Sequence, residues 1–268
     1  MFKGKAIYNP SGKAGEYSYW ACNFYTGCSN GCTYCYLKKG RGAKVLGGDT
    51  PQLKKCFKNE AHAIKVFEKE LLRNLDDIRE HGLFFSFTTD PMLSETVDLT
   101  LNAVDLCQDH TVPVKILTKK VDYLYNLLKY YQEGCSWTPG LIAIGFTLTG
   151  RDKLEPNAST NNERISAMQK LKKDGYKTFA SIEPIIDFRS SKKMIEQCMD
   201  FCDLFKIGLQ SGKKYNILDA QNFVEWLDEL QGPKIYLKDS LQKLSNYTNN
   251  ELDEYFVERD YNLFKDLA

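Results

Sequence analysis

The sequence has 268 residues, 43% apolar and 26% charged, with no low-complexity tract, so it has the make-up of an ordinary folded chain, either one large α/β domain or two small ones. Its 36 basic residues against 35 acidic ones leave a formal charge of +1, which excludes a global electrostatic pull toward nucleic acid or membrane and leaves only a local basic groove open. The first twenty residues lack the apolar core of a signal peptide, and no run approaches the roughly 18 apolar residues that span a bilayer, so a cytoplasmic protein with no membrane partner is expected.

In chain order, Tyr17 to Tyr25 is aromatic enough to be a strand, and it runs into a loop of sequence GCSNGCTYC. Residues 60–80 read as a helix, because Ile64, Phe67, Leu71, Leu72, Leu75 and Ile78 recur at steps of three and four, and Gly82 stands where a C-cap is expected. A pattern then repeats. Apolar runs at 83–89, 112–119, 141–149, 177–185 and 204–209 alternate with stretches of helical spacing at 95–109, 121–133, 161–174 and 190–202.

Near-continuous apolar runs are the mark of parallel strands buried on both faces. With the first strand they make six units, short of the eight of a full TIM barrel. The expectation is a partial (β/α)6 TIM-like barrel with helices outside, although a doubly wound sheet would give the same linear order. No Pro/Ser-rich linker divides the chain, so residues 1–268 read as one domain, with a short N-terminal extension over about 1–16. A tail over about 234–268 reads as a final strand (KIYLKD) and a helix over 250–264. Polar or unusual residues gather at the expected strand ends: Thr88, Thr89 and Asp90; Thr118 and Lys119; Thr147 and Thr149; Glu183 and Pro184. Such ends converge on one face, where function collects.

The nine cysteines are odd in number for a fully paired disulfide framework, and the chain is far larger than a small secreted scaffold. Three of them, Cys28, Cys32 and Cys35, fall within eight residues, a reach that lets one loop wrap three corners of an iron–sulfur cubane. Gly27 and Gly31 give the loop backbone freedom. The fourth corner has no local cysteine, which leaves one iron open to a ligand. Structural zinc is the alternative. It would need a fourth ligand from Cys22, Cys56 or one of His62, His81 and His110, none of which has finger-like spacing. Cys198 and Cys202, four apart on an expected helix, have no companion ligands, and Cys56, Cys107 and Cys135 read as ordinary thiols. Lysine pairs such as 38–39, 172–173 and 213–214 are scattered like solvated faces.

With Tyr34 before the last cysteine, this loop resembles the signature of the radical S-adenosylmethionine (SAM) superfamily. The resemblance implies a [4Fe-4S] cluster on Cys28, Cys32 and Cys35 whose open iron chelates SAM. It also implies one-electron cleavage of SAM to a 5′-deoxyadenosyl radical, and a reducing partner such as flavodoxin or ferredoxin. From about Tyr25 to Leu209 the chain is similar to the branch of spore photoproduct lyase and DNA-repair-photolyase-like proteins. The likeness is carried by CTYCYL, TTDP at 88–91, LTK at 117–119, EP at 155–156, Arg164, DGYK at 174–177 and Pro184-Ile185. It implies that Tyr34 packs near the adenine, that Lys119 neutralises the SAM carboxylate with Thr147 as a hydroxyl donor, that Asp90 belongs to the cofactor site, and that the substrate is a nucleic acid or nucleotide. One departure matters: Phe87 stands where photoproduct lyase has its hydrogen-donating cysteine. The reading from another class is a non-catalytic Fe-S or zinc module associated with nucleic acid.

Overall fold

The computed structural model describes residues 1–40, 42–124 and 138–265. Eight strands form the central sheet, and they are neighbours in chain order: β1 (Ile7–Tyr8), β2 (Trp20–Cys22), β3 (Leu83–Phe85), β4 (Val114–Thr118), β5 (Ile142–Thr147), β6 (Lys177–Ile185), β7 (Leu204–Leu209) and β8 (Lys234–Leu237). The β1–β2 pair is antiparallel and the six pairings from β2 to β8 are parallel. A doubly wound sheet reverses its strand order at a switch point. This sheet never does, so the chain is a partial β/α barrel.

Helices α1 (Glu60–Arg73), α2 (Leu75–His81), α3 (Val97–Asp109), α4 (Asn161–Lys173), α5 (Phe188–Cys198), α6 (Ile217–Asp228) and α7 (Asp239–Ser245) connect the strands. Their starts follow local chemistry. Asn59, Asp187 and Asn216 each accept a hydrogen bond from the N–H three residues on, and Thr160 with Glu163 forms a reciprocal capping box. The helix expected over 60–80 breaks at Asn74, whose amide donates back to the Glu70 carbonyl at 2.8 Å and so competes with the helical ladder. Most of the helix expected over 121–133, and Cys135, lie outside the described residues.

Alternation along the strands separates two apolar layers. Phe85, Val114, Ile116, Ile142, Ile144, Phe205 and Ile207 pack in the layer that includes the helices, whereas Ala21, Phe84, Ala143, Phe179, Leu204 and Tyr236 fill the lumen. The interior void beside Lys115 and Lys206 is only about 10 Å³, so the lumen is a packed core. Residues 250–264, expected as a helix, run instead as turns beneath the barrel. Val257 N donates to Ile235 O at 2.8 Å and Ile235 N to Tyr255 O at 2.9 Å, so this backbone is bonded to β8 while Val257, Leu263 and Phe264 plug the lumen.

Beside β8, at the open edge of the sheet, runs the segment around Lys13–Ser18. Glu16 accepts from Asp239 N at 2.8 Å and pairs with the Lys238 ammonium at 3.3 Å, and Lys206 donates to the Glu16 carbonyl at 2.7 Å. Among the described residues, no helix is long and apolar enough to cross a membrane.

Candidate functional site

The first expected strand shortens because its end turns toward the site. After Cys22, the Asn23 carboxamide receives Phe87 N–H at 2.8 Å and donates to Tyr8 Oη at 2.6 Å, and Tyr25–Thr26 then leaves the sheet to pair with Gln52–Leu53. The strand expected over 83–89 stops at Phe85 for a related reason. Ser86 Oγ donates to the Thr89 carbonyl at 2.9 Å and Thr88 Oγ1 to the Tyr25 carbonyl at 2.5 Å, which folds residues 86–90 into a turn against the cysteine loop.

The cysteine loop is fixed from both sides. Gly27 sits at φ +85°, and a Cβ there would lie 2.4 Å from the Thr50 carbonyl; Gly31 sits at φ +69°, with Pro156 and Asn157 3.2 Å from where its Cβ would be. Cys28 N donates to Gly48 O at 3.0 Å, Thr33 N to Leu154 O at 3.0 Å, and Asn157 Nδ2 to Ser29 O at 2.8 Å. The glycines therefore serve close backbone approach, not flexibility.

Asp90, at the end of the β3 turn, ties this loop to β4. Its carboxylate accepts from Asn30 Nδ2 at 2.7 Å, Thr118 Oγ1 at 2.6 Å, Lys119 N at 2.8 Å and Met92 N at 3.0 Å. With four donors on two oxygens it is committed to the scaffold. Lys119 follows Thr118, and its ammonium lies 5.9 Å from the centroid of the Tyr34 ring, with no carboxylate within ion-pair distance among the described residues. Burial works against its charged form, but Cys32, Glu155 and Asp90 together outweigh it and raise the Lys119 pKa.

Tyr34 is held by a chain of buried polar groups. Its hydroxyl donates to Glu155, which forms a fully buried ion pair with Arg164 at 2.5 Å. Arg164 also donates to the Ser159 carbonyl at 2.8 Å and to the carbonyl of Thr147 at the end of β5. The fragments at 155–156 and at Arg164 thus brace Tyr34 and the strand end. Burial, then the nearby Glu155 charge, pushes the Tyr34 hydroxyl well above its ordinary pKa.

Cys32 is buried, and Cys28 and Cys35 are half-buried. Burial, followed by the Asp90 charge, pushes the Cys28 thiol up to about 12, and burial also raises Cys32. Such thiols are poor free nucleophiles and need a cation to deprotonate them. The donor set, three thiols of one loop, suits three corners of an iron–sulfur cubane. Sulfurs around a tetrahedral zinc stand about 3.8 Å apart, from bonds of about 2.3 Å. Among the described residues, Asp77, Glu80 and His81 are the only three Cys, His or carboxylate groups whose ligand atoms lie within 4.8 Å of one another. At least one pair among the Cys28, Cys32 and Cys35 thiols is farther apart than that. Next to them, Asn30 Oδ1 and Thr89 Oγ1 are buried without a hydrogen-bond partner, as expected beside a space meant to be filled.

Cys22 is fully buried and packs in the helix-side layer, away from the lumen; Cys56 is exposed and Cys107 buried. Cys198 and Cys202 donate to the backbone carbonyls of Met194 and Leu204.

The barrel order and a cysteine loop on the first parallel strand invite comparison with proteins of known structure. The fold is similar to that of part of Streptococcus suis SuiB. Crystal structures of SuiB bound to S-adenosylmethionine and to precursor peptide SuiA match with TM-scores of 0.56 and 0.53 at 13% and 14% identity, covering 84% and 88% of this chain. They cover 51% and 47% of SuiB, so the chain spans about half the length of that protein. An uncharacterized Methanocaldococcus jannaschii protein, MJ0683, is 24% identical over 234 residues, 83% of each chain. No protein-family model matches the chain.

Two elements of this site were missed in the sequence. Glu155 and Arg164 drew attention only as fragments of a resemblance, because the residues they join are far apart in the chain. Tyr17, whose hydroxyl lies 2.6 Å from Ser181 Oγ and 2.9 Å from Glu183 at the mouth of the barrel, looked like one strand aromatic among several.

Proposed function

We propose that this chain is a radical SAM enzyme in which Cys28, Cys32 and Cys35 hold a [4Fe-4S] cluster. The observation that carries the reading is three thiols on one braced loop at the C-terminal end of the first parallel strand of a barrel. SuiB, to part of whose fold this chain is similar, binds S-adenosylmethionine, and that adds support. When bound, the cluster and SAM supply one-electron cleavage of the sulfonium, giving methionine and a 5′-deoxyadenosyl radical.

The chain's own residues bind, orient and exclude water. Lys119, which has no carboxylate within ion-pair distance among the described residues, suits the SAM carboxylate, with Thr147 on the adjacent strand end as a hydroxyl donor. Tyr34 offers a ring face held by Glu155. Asp90 acts at one remove: by receiving Asn30 from the cysteine loop and the Lys119 backbone together, it sets the distance between cluster and cation. The filled lumen keeps solvent from approaching beneath.

The reading includes one domain over residues 1–268, a low-potential donor such as flavodoxin or ferredoxin, and, within the photoproduct-lyase-like branch, a nucleic acid or nucleotide substrate. Phe87 stacks on Phe84 at a centroid distance of 4.4 Å and cannot return a hydrogen atom, so the proposal stops short of photoproduct repair. Anaerobic reconstitution with iron and sulfide, followed by assay for 5′-deoxyadenosine under reducing conditions, tests the reading.

A further inference from the structure

A second polar cluster shares the barrel mouth with the cysteine loop. It lies at the C-terminal end of β6, the same end of the parallel strands at which the cysteine loop follows β2. Glu183, on β6, uses one carboxylate oxygen fully: Oε2 accepts the Tyr17 hydroxyl at 2.9 Å and the ammonium of Lys238. Lys238 is itself fully buried and donates also to the Lys13 carbonyl at 3.2 Å. The carboxylate is thereby held in one orientation.

Its other oxygen, Oε1, accepts no hydrogen bond among the described residues, and Lys13 Nζ stands 3.9 Å away, beyond hydrogen-bond length. Lys13 spends two of its three N–H groups on the Leu209 carbonyl at 3.3 Å and Ser211 Oγ at 3.0 Å, leaving one. The side chain of Glu183 is 16% exposed and that of Lys13 47%. The mouth therefore presents one fixed acceptor and one donor side by side. Together they are electrically neutral, so a phosphate is repelled by Glu183 and an ammonium by Lys13.

We propose that Lys13 and Glu183 bind a neutral cis-amide edge, its N–H donating to Glu183 Oε1 and its C=O accepting from Lys13 Nζ. In a cis-amide, N and O lie on one side about 2.3 Å apart, as bond lengths require, so two bonds of ordinary length diverge slightly to meet groups at this separation. A trans peptide points N–H and C=O in opposite directions and does not fit. A lactam or imide ring, or a primary carboxamide, does. That this ligand is the substrate rests on the radical SAM reading; that it binds does not.

Ligand-observed saturation-transfer NMR on the reconstituted full-length protein tests the site, with δ-valerolactam, its N-methyl derivative and propionamide as probes. Binding of the lactam is expected, with about tenfold weaker binding of the N-methyl derivative and about tenfold weaker lactam binding by Lys13→Met, each change removing one hydrogen bond of a charge-assisted pair. Propionamide binding as well as the lactam would assign an open carboxamide, and lactam binding alone a ring; either supports the cis-amide edge. Glu183→Gln removes one of the two carboxylates that pair with buried Lys238 and risks the fold, which is why the half-exposed Lys13 carries the test. Equal binding of the N-methyl derivative, an unchanged Lys13→Met, or no binding of any probe overturns the proposal. None of these readouts needs SAM or turnover, so such a failure leaves SAM cleavage to be judged separately.

Discussion

Removing Arg164 should be among the most damaging single substitutions in the protein. Arg164 and Glu155 are both fully buried and 2.5 Å apart, and the pair joins Tyr34 to the end of β5. In Arg164→Met, Glu155 keeps only the hydroxyls of Tyr34 and Thr149 as donors, and an uncompensated buried carboxylate costs about 3–5 kcal/mol. The Ser159 and Thr147 carbonyls each lose a donor as well, at about 1 kcal/mol apiece, partly offset by the apolar methionine stem. The sum is about 4–6 kcal/mol, or roughly 8–24 °C in Tm at about 2–4 °C per kcal/mol. Urea denaturation followed by tryptophan fluorescence measures it. The double variant Glu155→Gln/Arg164→Met removes the stranded charge and should recover at least half of the loss. Arg151→Met is the control, because its bond to Asp187 lies at the surface, with side chains 51% and 35% exposed, and should cost no more than about 1 kcal/mol. A loss below about 1 kcal/mol for Arg164→Met, or a double variant as unstable as the single one, would refute the reasoning.

Lys115 is buried with, among the described residues, only the His81 carbonyl and Ser18 Oγ as partners, and burial lowers its pKa to about 8. Below that pH the amine is protonated in both states and the folded chain bears the desolvation cost. Between there and about 10.4 the unfolded chain binds more protons, so stability rises with pH. Lys115→Met should therefore be more stable than wild type by up to about 3 kcal/mol at neutral pH, and the difference should shrink by pH 10 in denaturation curves; a pH-independent difference would contradict this. Gly27→Ala combines positive φ with a contact at 2.4 Å and should cost about 1–3 kcal/mol while lowering iron content after reconstitution; full iron loading at unchanged Tm would contradict the close-approach account. Cys22→Ser, altering a thiol on the helix side of the sheet, should keep its iron, whereas loss of iron there would mean that Cys22 is a ligand.

Much of the barrel was legible because its strands carry their own signal. The runs at 177–185 and 204–209 match β6 and β7 residue for residue, since an interior parallel strand is covered on both faces and reads as a mostly apolar run. The run at 83–89 misled because Phe87, Thr88 and Thr89 have strand-like composition, yet their hydrogen bonds go to Asn23 and Tyr25 across the mouth, partners no local pattern can announce. The tail over 250–264 misled for the same reason, its backbone being taken by β8. At the candidate site, the cysteine loop was legible as a loop that follows the first parallel strand. Asp90 was legible as a residue but not as a hub, because its four donors come from Asn30, Met92, Thr118 and Lys119. The partition of Glu183 into one committed and one open oxygen depends on Tyr17, Lys238 and Lys13, which lie more than fifty residues away on either side.

The central claim is that Cys28, Cys32 and Cys35 hold a cluster that cleaves SAM. Its most direct measurement is 5′-deoxyadenosine released from SAM by the anaerobically reconstituted, dithionite-reduced protein, beside the variant with all three cysteines changed to alanine. The account predicts a brown protein that forms 5′-deoxyadenosine and methionine, and a variant that binds little iron and forms neither. Product formation undiminished in the triple variant, or a reconstituted wild-type protein whose cluster spectrum ignores SAM and yields no product, would contradict it.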